Sequence, residues 1–271
     1  MFFLMKILLL VLFALPSLQL LKDINVDATH GSMTLRGGCS DKIRSQQSAE
    51  PPRKFDIVVI GGGVAAGYCV KEWISGGPMK ESVCVVSEEN VHPYERPALT
   101  KGYLAGTLKS PRQGGFLCLP KESYVFSNIE LMLSTKVVQI DFKKRVLTTK
   151  PVENGGTKRT SIEYSKLVLA TGVGIERLAV PGCQLKNVFH IRNLVDVDSM
   201  TSILTPGLRV VVIGGGYIGM EVSACLAVRG CNVSLVVRGA RPLEHTGMPE
   251  AAAEALMRVW RSRGVEVLTD P

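Results

Sequence analysis

Phe55-Asp56-Ile57-Val58-Val59-Ile60-Gly61-Gly62-Gly63-Val64-Ala65-Ala66-Gly67 decides the fold of this chain. The apolar run reads as a buried strand, a glycine turn follows it, and the next residues read as a helix. The same order recurs at Val210-Val211-Val212-Ile213-Gly214-Gly215-Gly216-Tyr217-Ile218-Gly219. One glycine run alone is weak evidence. Two copies, each set between a strand and a helix, predict two Rossmann-like βαβ units, each able to cradle one dinucleotide. Two cradles in one polypeptide suit the passage of a hydride from one dinucleotide to the other.

In the first copy Gly61 permits a tight turn and Gly63 lets the backbone approach a pyrophosphate. Ala66 takes the third small position, where helix and strand pack closely. The helix is predicted over 64–75, with its free N–H groups and dipole facing the phosphates. Gly76-Gly77-Pro78 stops it. Val83 to Ser87 reads as the next strand and leads into Glu88-Glu89, where a carboxylate can accept hydrogen bonds from both hydroxyls of a ribose. His92-Pro93-Tyr94-Glu95-Arg96-Pro97-Ala98-Leu99-Thr100-Lys101 follows. Its prolines predict a stiff loop. Arg96 and Lys101 are either ordinary surface charges or a clamp on a pyrophosphate and a flavin ring. In the second copy Gly214, Gly216 and Gly219 fill all three small positions, with Tyr217 and Ile218 between them. Glu221 follows, the helix runs through Val228, and Gly230 ends it; Val233 to Val237 is the next strand.

The 271 residues suffice for about two domains with separate cores. The formal charge is +8. Its lysines and arginines are scattered rather than striped among aromatics, which argues against nucleic acid and for anionic small molecules. Four histidines lie far apart and give no metal signature. The seven cysteines include no CxxC and no zinc spacing, so the folded part reads as built for a reducing compartment. Cys69 and Cys84 fall on positions predicted to be buried, where a thiol acts as a small apolar group.

Gly61 to Tyr68 (GGGVAAGY), Pro93 to Leu104 (PYERPALTKGYL) and Gly214 to Ala224 (GGGYIGMEVSA) resemble plant and algal monodehydroascorbate reductase. Ile129 to Thr135 is similar to a strand of that family. The resemblance spans about 54–268; the PYxRPxL(S/T)K segment is shared with ferredoxin-type reductases and apoptosis-inducing-factor-like proteins. It implies a two-dinucleotide α/β flavoprotein with doubly wound parallel sheets and a small antiparallel crossover sheet. FAD would lie along Gly61, Gly63, Ala65 and Ala66, with its ribose on Glu89. Arg96 and Lys101 would contact pyrophosphate and flavin, the backbone of Val138 the adenine, and Thr171-Gly172 would close the FAD half. NAD(P)H would lie on Gly214, Gly216, Tyr217, Ile218, Gly219 and Glu221. Where the family has a ribose-binding glutamate, this chain has Gly239, flanked by Arg238 and Arg241. Two guanidinium groups in place of a carboxylate suit a 2′-phosphate, so NADPH is expected to serve at least as well as NADH. Disulfide reductases of this fold carry two close cysteines where this chain has PYERPALTK. Electrons are therefore expected to pass from FAD directly to a small radical acceptor, monodehydroascorbate, regenerating ascorbate. The rivals are a reductase for a ferredoxin-like protein and a nucleotide-binding protein without turnover.

Three segments are expected: 1–50 as targeting leader and linker, 51–200 as the FAD domain, and 201–271 as the first half of the NAD(P) domain. Relatives of the family continue beyond this length, and no residue here is assigned to the ascorbate radical. Parallel strands left with open edges and uncovered apolar faces predict poor solubility and weak FAD retention for these 271 residues alone. Lys6 followed by the apolar run Ile7 to Leu15 and Pro16 reads as a signal-like core too short to span a membrane, with Val26-Asp27-Ala28 a late candidate cleavage site. No stable span is expected once the leader is removed. A start at Met33 is the competing reading. A secretory-type leader ahead of such a flavoprotein favours an organelle, a plastid with extra membranes, over the cytoplasm. A fusion of residues 1–54 to a fluorescent reporter is expected to reach that organelle; a diffuse cytosolic signal rejects the leader.

Overall fold

The computed structural model describes residues 24–27, 32–35, 51–78, 80–152 and 157–270. The expected signal-like core falls outside them. Contacts divide the chain into two compact units: unit 1 is Met1–His92 with Lys121–Thr171, and unit 2 is Pro93–Pro120 with Gly172–Pro271. The chain therefore leaves unit 1 after His92 and re-enters it at Lys121. In this division 93–120 and 172–200 group with the second glycine loop.

Unit 1 is built on one eight-stranded sheet of order β1-β2-β6-β7-β8-β3-β4-β5. β3 (Arg53–Ile60) enters the first glycine turn and α1 (Val64–Ser75) leaves it. β4 (Val83–Val86) lies parallel to β3, and β5 (Ile129–Met132) lies parallel to β4. All four residues of β4 are buried, as a parallel strand inside a doubly wound sheet requires. β6 (Thr135–Asp141) and β7 (Val146–Pro151) form an antiparallel ribbon that runs into β8 (Thr160–Leu169). β8 is also parallel to β3 along its length. The antiparallel ribbon, the expected small crossover element, is continuous with the parallel strands through β8. A short helix, α3 (Lys121–Phe126), precedes β5.

Val58, Ile60, Cys84 and Val86 from the parallel half meet Val137, Ile140, Leu147, Ile162 and Tyr164 from the ribbon in one core cluster. Each of the larger aliphatic side chains contributes about 1.5–3 kcal/mol by leaving water. Burial along β8 is uneven. Tyr164 is buried, but Lys166 is exposed and Leu169 is 53% exposed. β7 pairs only with residues 160–163, so the outer edge of 164–169 carries no strand. The expected polar linker holds a further difference: β1 (Ile24–Asp27) and β2 (Ser32–Leu35) form an antiparallel pair, and β2 extends the ribbon at β6. Main-chain hydrogen bonds to an open strand edge do not require an apolar sequence.

Unit 2 repeats the plan on a smaller scale. Its parallel sheet has order β11-β10-β9, with β9 at Arg209–Ile213, β10 at Asn232–Val237 and β11 at Val265–Thr269. α5 (Tyr217–Val228) joins β9 to β10, and α6 (Glu250–Ser262) joins β10 to β11. The Trp260 indole on α6 donates to the Met220 carbonyl at 3.1 Å and the Ser223 hydroxyl at 3.0 Å, tying the helices together. β9 is an edge strand, with Val211 and Ile213 62% and 64% exposed. His92 to Lys101, most of which opens the Pro93–Pro120 segment, was expected to be a stiff loop. The segment folds instead as a 3-10 turn at Arg96–Thr100 and a single helical turn, α2 (Gly102–Ala105). Its buried Tyr94 accepts a hydrogen bond from the Leu194 amide at 2.9 Å, at the start of α4 (Leu194–Thr201).

A β-carbon at Gly219 would overlap the Gly214 carbonyl oxygen, whereas Ala66 occupies the matching position of unit 1 fully buried. Gly219→Ala is therefore expected to lower stability by about 1–3 kcal/mol. Its urea midpoint against that of the parent chain is the measurement, and an unchanged midpoint rejects the close approach.

Candidate functional site

Gly61 turns the chain out of β3 at φ +124°, a conformation that L side chains rarely adopt. A β-carbon there would also overlap the Ala170 carbonyl oxygen, so glycine is required twice over. The Gly61 amide donates to the Val86 carbonyl at 2.9 Å, which fixes the turn over the ends of β3 and β4. Gly63 caps α1 in an extended conformation; no side chain caps the helix and its first turn holds no acid. Its first amides are left for an anion, as a dinucleotide pyrophosphate requires. Ala65 is exposed and Ala66 buried, so the loop presents one small residue outward and packs the next inward.

Glu89, Val138 and Thr171 of the first expected set lie in the same unit, whereas Arg96, Lys101 and Gly172 fall in unit 2. Glu89 follows β4 half-buried, its amide hydrogen-bonded to the Ser87 hydroxyl at 3.2 Å. Neighbouring Glu88 is exposed and pairs with Lys136 at 3.3 Å, which separates the roles of the two adjacent acids. Val138 sits at an irregularity of the β6–β7 ladder: Val137 pairs with Thr149 and Gln139 with Thr148, so Val138 has no opposite residue. A bulge of this kind turns main-chain groups away from the ladder, which suits recognition of a base edge by backbone. Thr171 closes the unit after β8, while Gly172, at φ +72°, begins the next stretch of unit 2. This cradle fits a dinucleotide such as FAD.

Unit 2 repeats the geometry. Gly214 turns at φ +111°, Gly216 caps α5 in an extended conformation, and again neither a capping side chain nor an acid occupies the first turn. Tyr217 and Ile218 are about two-fifths exposed beside it. The Leu243 amide donates to the Gly215 carbonyl at 2.8 Å, pinning the loop after β10 against the glycine loop. Among the residues of that loop, Arg238 is exposed and Gly239 has φ +110°. Arg241 lies 3.9 Å from Glu244 and 3.7 Å from Glu250. Two carboxylates thus face one of the two guanidinium groups that flank Gly239.

Arg96 and Lys101 belong to unit 2. The Arg96 guanidinium donates to the Tyr94 hydroxyl at 3.0 Å and the Arg192 carbonyl at 2.9 Å, and lies 5.2 Å from the centre of the Tyr94 ring. Lys101 forms a 2.7 Å ion pair with Glu221 of α5, and the Thr100 hydroxyl donates to the same carboxylate. One residue from each expected cofactor set is thereby brought together: Lys101 from the flavin set and Glu221 from the nicotinamide set. Thr100, Tyr94 and Glu244 escaped the sequence reading. Nothing in their local pattern signals contacts made nearby in space and, for the first two, far away along the chain.

Residues 55–271 match the family described as Pyridine nucleotide-disulphide oxidoreductase. The peroxisomal monodehydroascorbate reductase 1 of Oryza sativa subsp. japonica is 36% identical over 228 residues, covering 79% of this chain and 46% of that protein. A cytosolic monodehydroascorbate reductase 4 from the same plant is 34% identical, covering 68% of this chain and 43% of its own length. The chain thus spans about half the length of the curated relatives it matches. Among solved structures, a ferredoxin reductase of Rhodopseudomonas palustris superposes with a TM-score of 0.67 at 27% identity, covering 79% of this chain and 50% of its own.

The thiols bear on how electrons could travel. Cys69, Cys84, Cys118, Cys183, Cys225 and Cys231 are all free. Burial pushes the Cys84 thiol up to about 12. Cys225 is raised too, first by burial and then by the adjacent Glu221 carboxylate, and its Sγ donates to the Thr100 and Lys101 carbonyls at 3.2 and 3.3 Å. Since the thiolate is the reactive form, both are held inert. Iodoacetamide at pH 8 is expected to leave Cys84 and Cys225 unlabelled in the folded chain and to label them in urea, with peptide mass spectrometry as the readout; rapid labelling of either in the folded chain rejects this.

Proposed function

From membership of the pyridine nucleotide-disulphide oxidoreductase family, to which this chain belongs, we infer that unit 1 binds FAD and unit 2 binds a nicotinamide dinucleotide. The observation that carries this reading is the duplicated cradle: two positive-φ glycines, each leading into a twelve-residue helix whose N-terminus has no side-chain cap. FAD, when bound, supplies acceptance of an electron pair and its release one electron at a time. The chain's own residues bind and orient. The amides of Gly63 to Ala66 would face the flavin dinucleotide's pyrophosphate, Glu89 would accept ribose hydroxyls, and the backbone at the Val138 bulge would meet the adenine. The amides after Gly216 hold the second pyrophosphate. The Lys101–Glu221 pair holds a cation in a set position within unit 2, where it would favour negative charge on a ligand.

The proposed reaction passes electrons from NAD(P)H through FAD to monodehydroascorbate radical, restoring ascorbate. Relatives of that name at 34–36% identity favour this acceptor. A second reading is a reductase for an iron–sulfur protein, favoured by the superposition on the ferredoxin reductase. The relatives are named peroxisomal and cytosolic, so a cytosolic site stands beside the organelle expected from the leader. Among the described residues no helix is long and apolar enough to cross a membrane.

Equilibrium dialysis of the full chain is expected to find two separate saturable sites, one for FAD and one for NADH. Gly61→Ala removes the FAD site and spares the other. Glu221→Gln or Lys101→Met slows reduction of bound FAD by NADH about tenfold or more. A single site shared by both dinucleotides rejects the reading. Oxidation of the reduced flavin by ascorbate radical, and not by a ferredoxin, decides between the two acceptors.

A further inference from the structure

We propose that Glu244 selects the nicotinamide dinucleotide, supplying the ribose-binding carboxylate that the end of β10 lacks and disfavouring a 2′-phosphate there. The inference rests on the reading that unit 2 binds such a dinucleotide.

In a βαβ dinucleotide unit, the adenosine ribose lies by the end of the second strand, where an acidic side chain takes its hydroxyls. The second strand of unit 2 is β10, which ends at Val237. The next four residues, Arg238-Gly239-Ala240-Arg241, include no acid. The fold brings one back from further along. Leu243 adopts φ +61° and is held by its amide on the Gly215 carbonyl at 2.8 Å, so the chain reverses over the glycine loop. Glu244 is the next residue. Its Oε2 lies 2.7 Å from where a β-carbon of Gly239 would stand. The carboxylate therefore fills the space beside Gly239, at the strand end where the ribose is expected. Glycine at 239 leaves that space open, because a side chain there would be strained at φ +110° and would displace the end of Glu244.

Charge points the same way. Arg238 and Arg241 would attract a 2′-phosphate if they stood alone. Arg241 faces Glu244 at 3.9 Å and Glu250 at 3.7 Å, so one of the two cations of the loop already meets two carboxylates. A phosphate monoester entering this group must displace Glu244 from Arg241 or lie against its negative charge. Free ribose hydroxyls meet neither cost, and can donate to Glu244. Glu244 is 45% exposed and so can reach an incoming ribose without disturbing the core.

Binding of NADH and of NADPH to the full chain loaded with FAD, followed by isothermal titration, tests the proposal. The parent chain is expected to bind NADH about tenfold more tightly than NADPH. Glu244→Gln, which keeps the shape and removes the charge, is expected to shift the ratio of dissociation constants about tenfold toward NADPH, and Glu244→Ala to do the same. Glu250→Gln, which frees Arg241 without touching the space beside Gly239, is expected to leave the ratio within about twofold. An unchanged ratio in both Glu244 variants overturns the proposal, as does a parent chain that prefers NADPH. An equal shift in Glu250→Gln also overturns it, since release of Arg241 then accounts for the effect. Failure of the parent chain to bind either dinucleotide sinks the nicotinamide reading of unit 2, and this inference with it.

Discussion

The close approach of a glycine turn to its neighbouring main chain is the constraint on which the rest of each unit depends. At Gly61 a single added carbon would overlap the Ala170 carbonyl, and at Gly219 it would overlap the Gly214 carbonyl. Because the backbone packs this tightly, each following helix starts directly above its strand ends. The uncapped N-terminus of each helix is then aimed at the space that a pyrophosphate requires. Energy lost by omitting a helix cap, about 1 kcal/mol for each helix, is recovered only when an anion fills that place. The two cradles are therefore sites that favour occupancy, and the packing of glycine against carbonyl is what places them.

Much of this was legible in the sequence. The helix expected over 64–75 is the helix observed, because a glycine turn starts it and Gly76-Gly77-Pro78 ends it, and both signals are local. The strands flanking each glycine turn were legible for the same reason: runs of branched aliphatics beside a turn leave few alternatives. What escaped reading depends on partners elsewhere along the chain. Residues 93–120 group with unit 2 because the Tyr94 hydroxyl meets the Leu194 amide, a contact that no local pattern announces. The pairing of β1 and β2 was hidden in a polar stretch, since strand edges are joined by main chain rather than by apolar side chains. Glu244 escaped because its placement follows from a non-glycine residue, Leu243, in a left-handed conformation.

The candidate site shows the same split. Glycines, Glu89 and the Lys101 cation could be named from spacing and resemblance, as residues whose type is dictated by the ligand. Their structural neighbours could not. Glu221 was read as part of the nicotinamide set, yet the structure gives it to Lys101 and Thr100, so it serves the segment expected to face the flavin. Free thiols complete the picture in a family whose name refers to disulphides. Cys225 lies against the carbonyls of Thr100 and Lys101, but burial keeps it protonated, and its hydrogen bonds use it as a small polar wedge.

β8 carries a consequence for how the chain is made. It joins the parallel strands to the antiparallel ribbon, and its partner β3 pairs with it across roughly a hundred residues of intervening polypeptide. During synthesis β3 leaves the ribosome long before β8 exists. The β6–β7 ribbon, whose strands are close neighbours, can form on its own meanwhile, and β8 then closes the seam between early and late segments. Until that moment one side of β3 stays unpaired, so the nascent protein passes through a stage with an open strand edge that the finished fold no longer reveals.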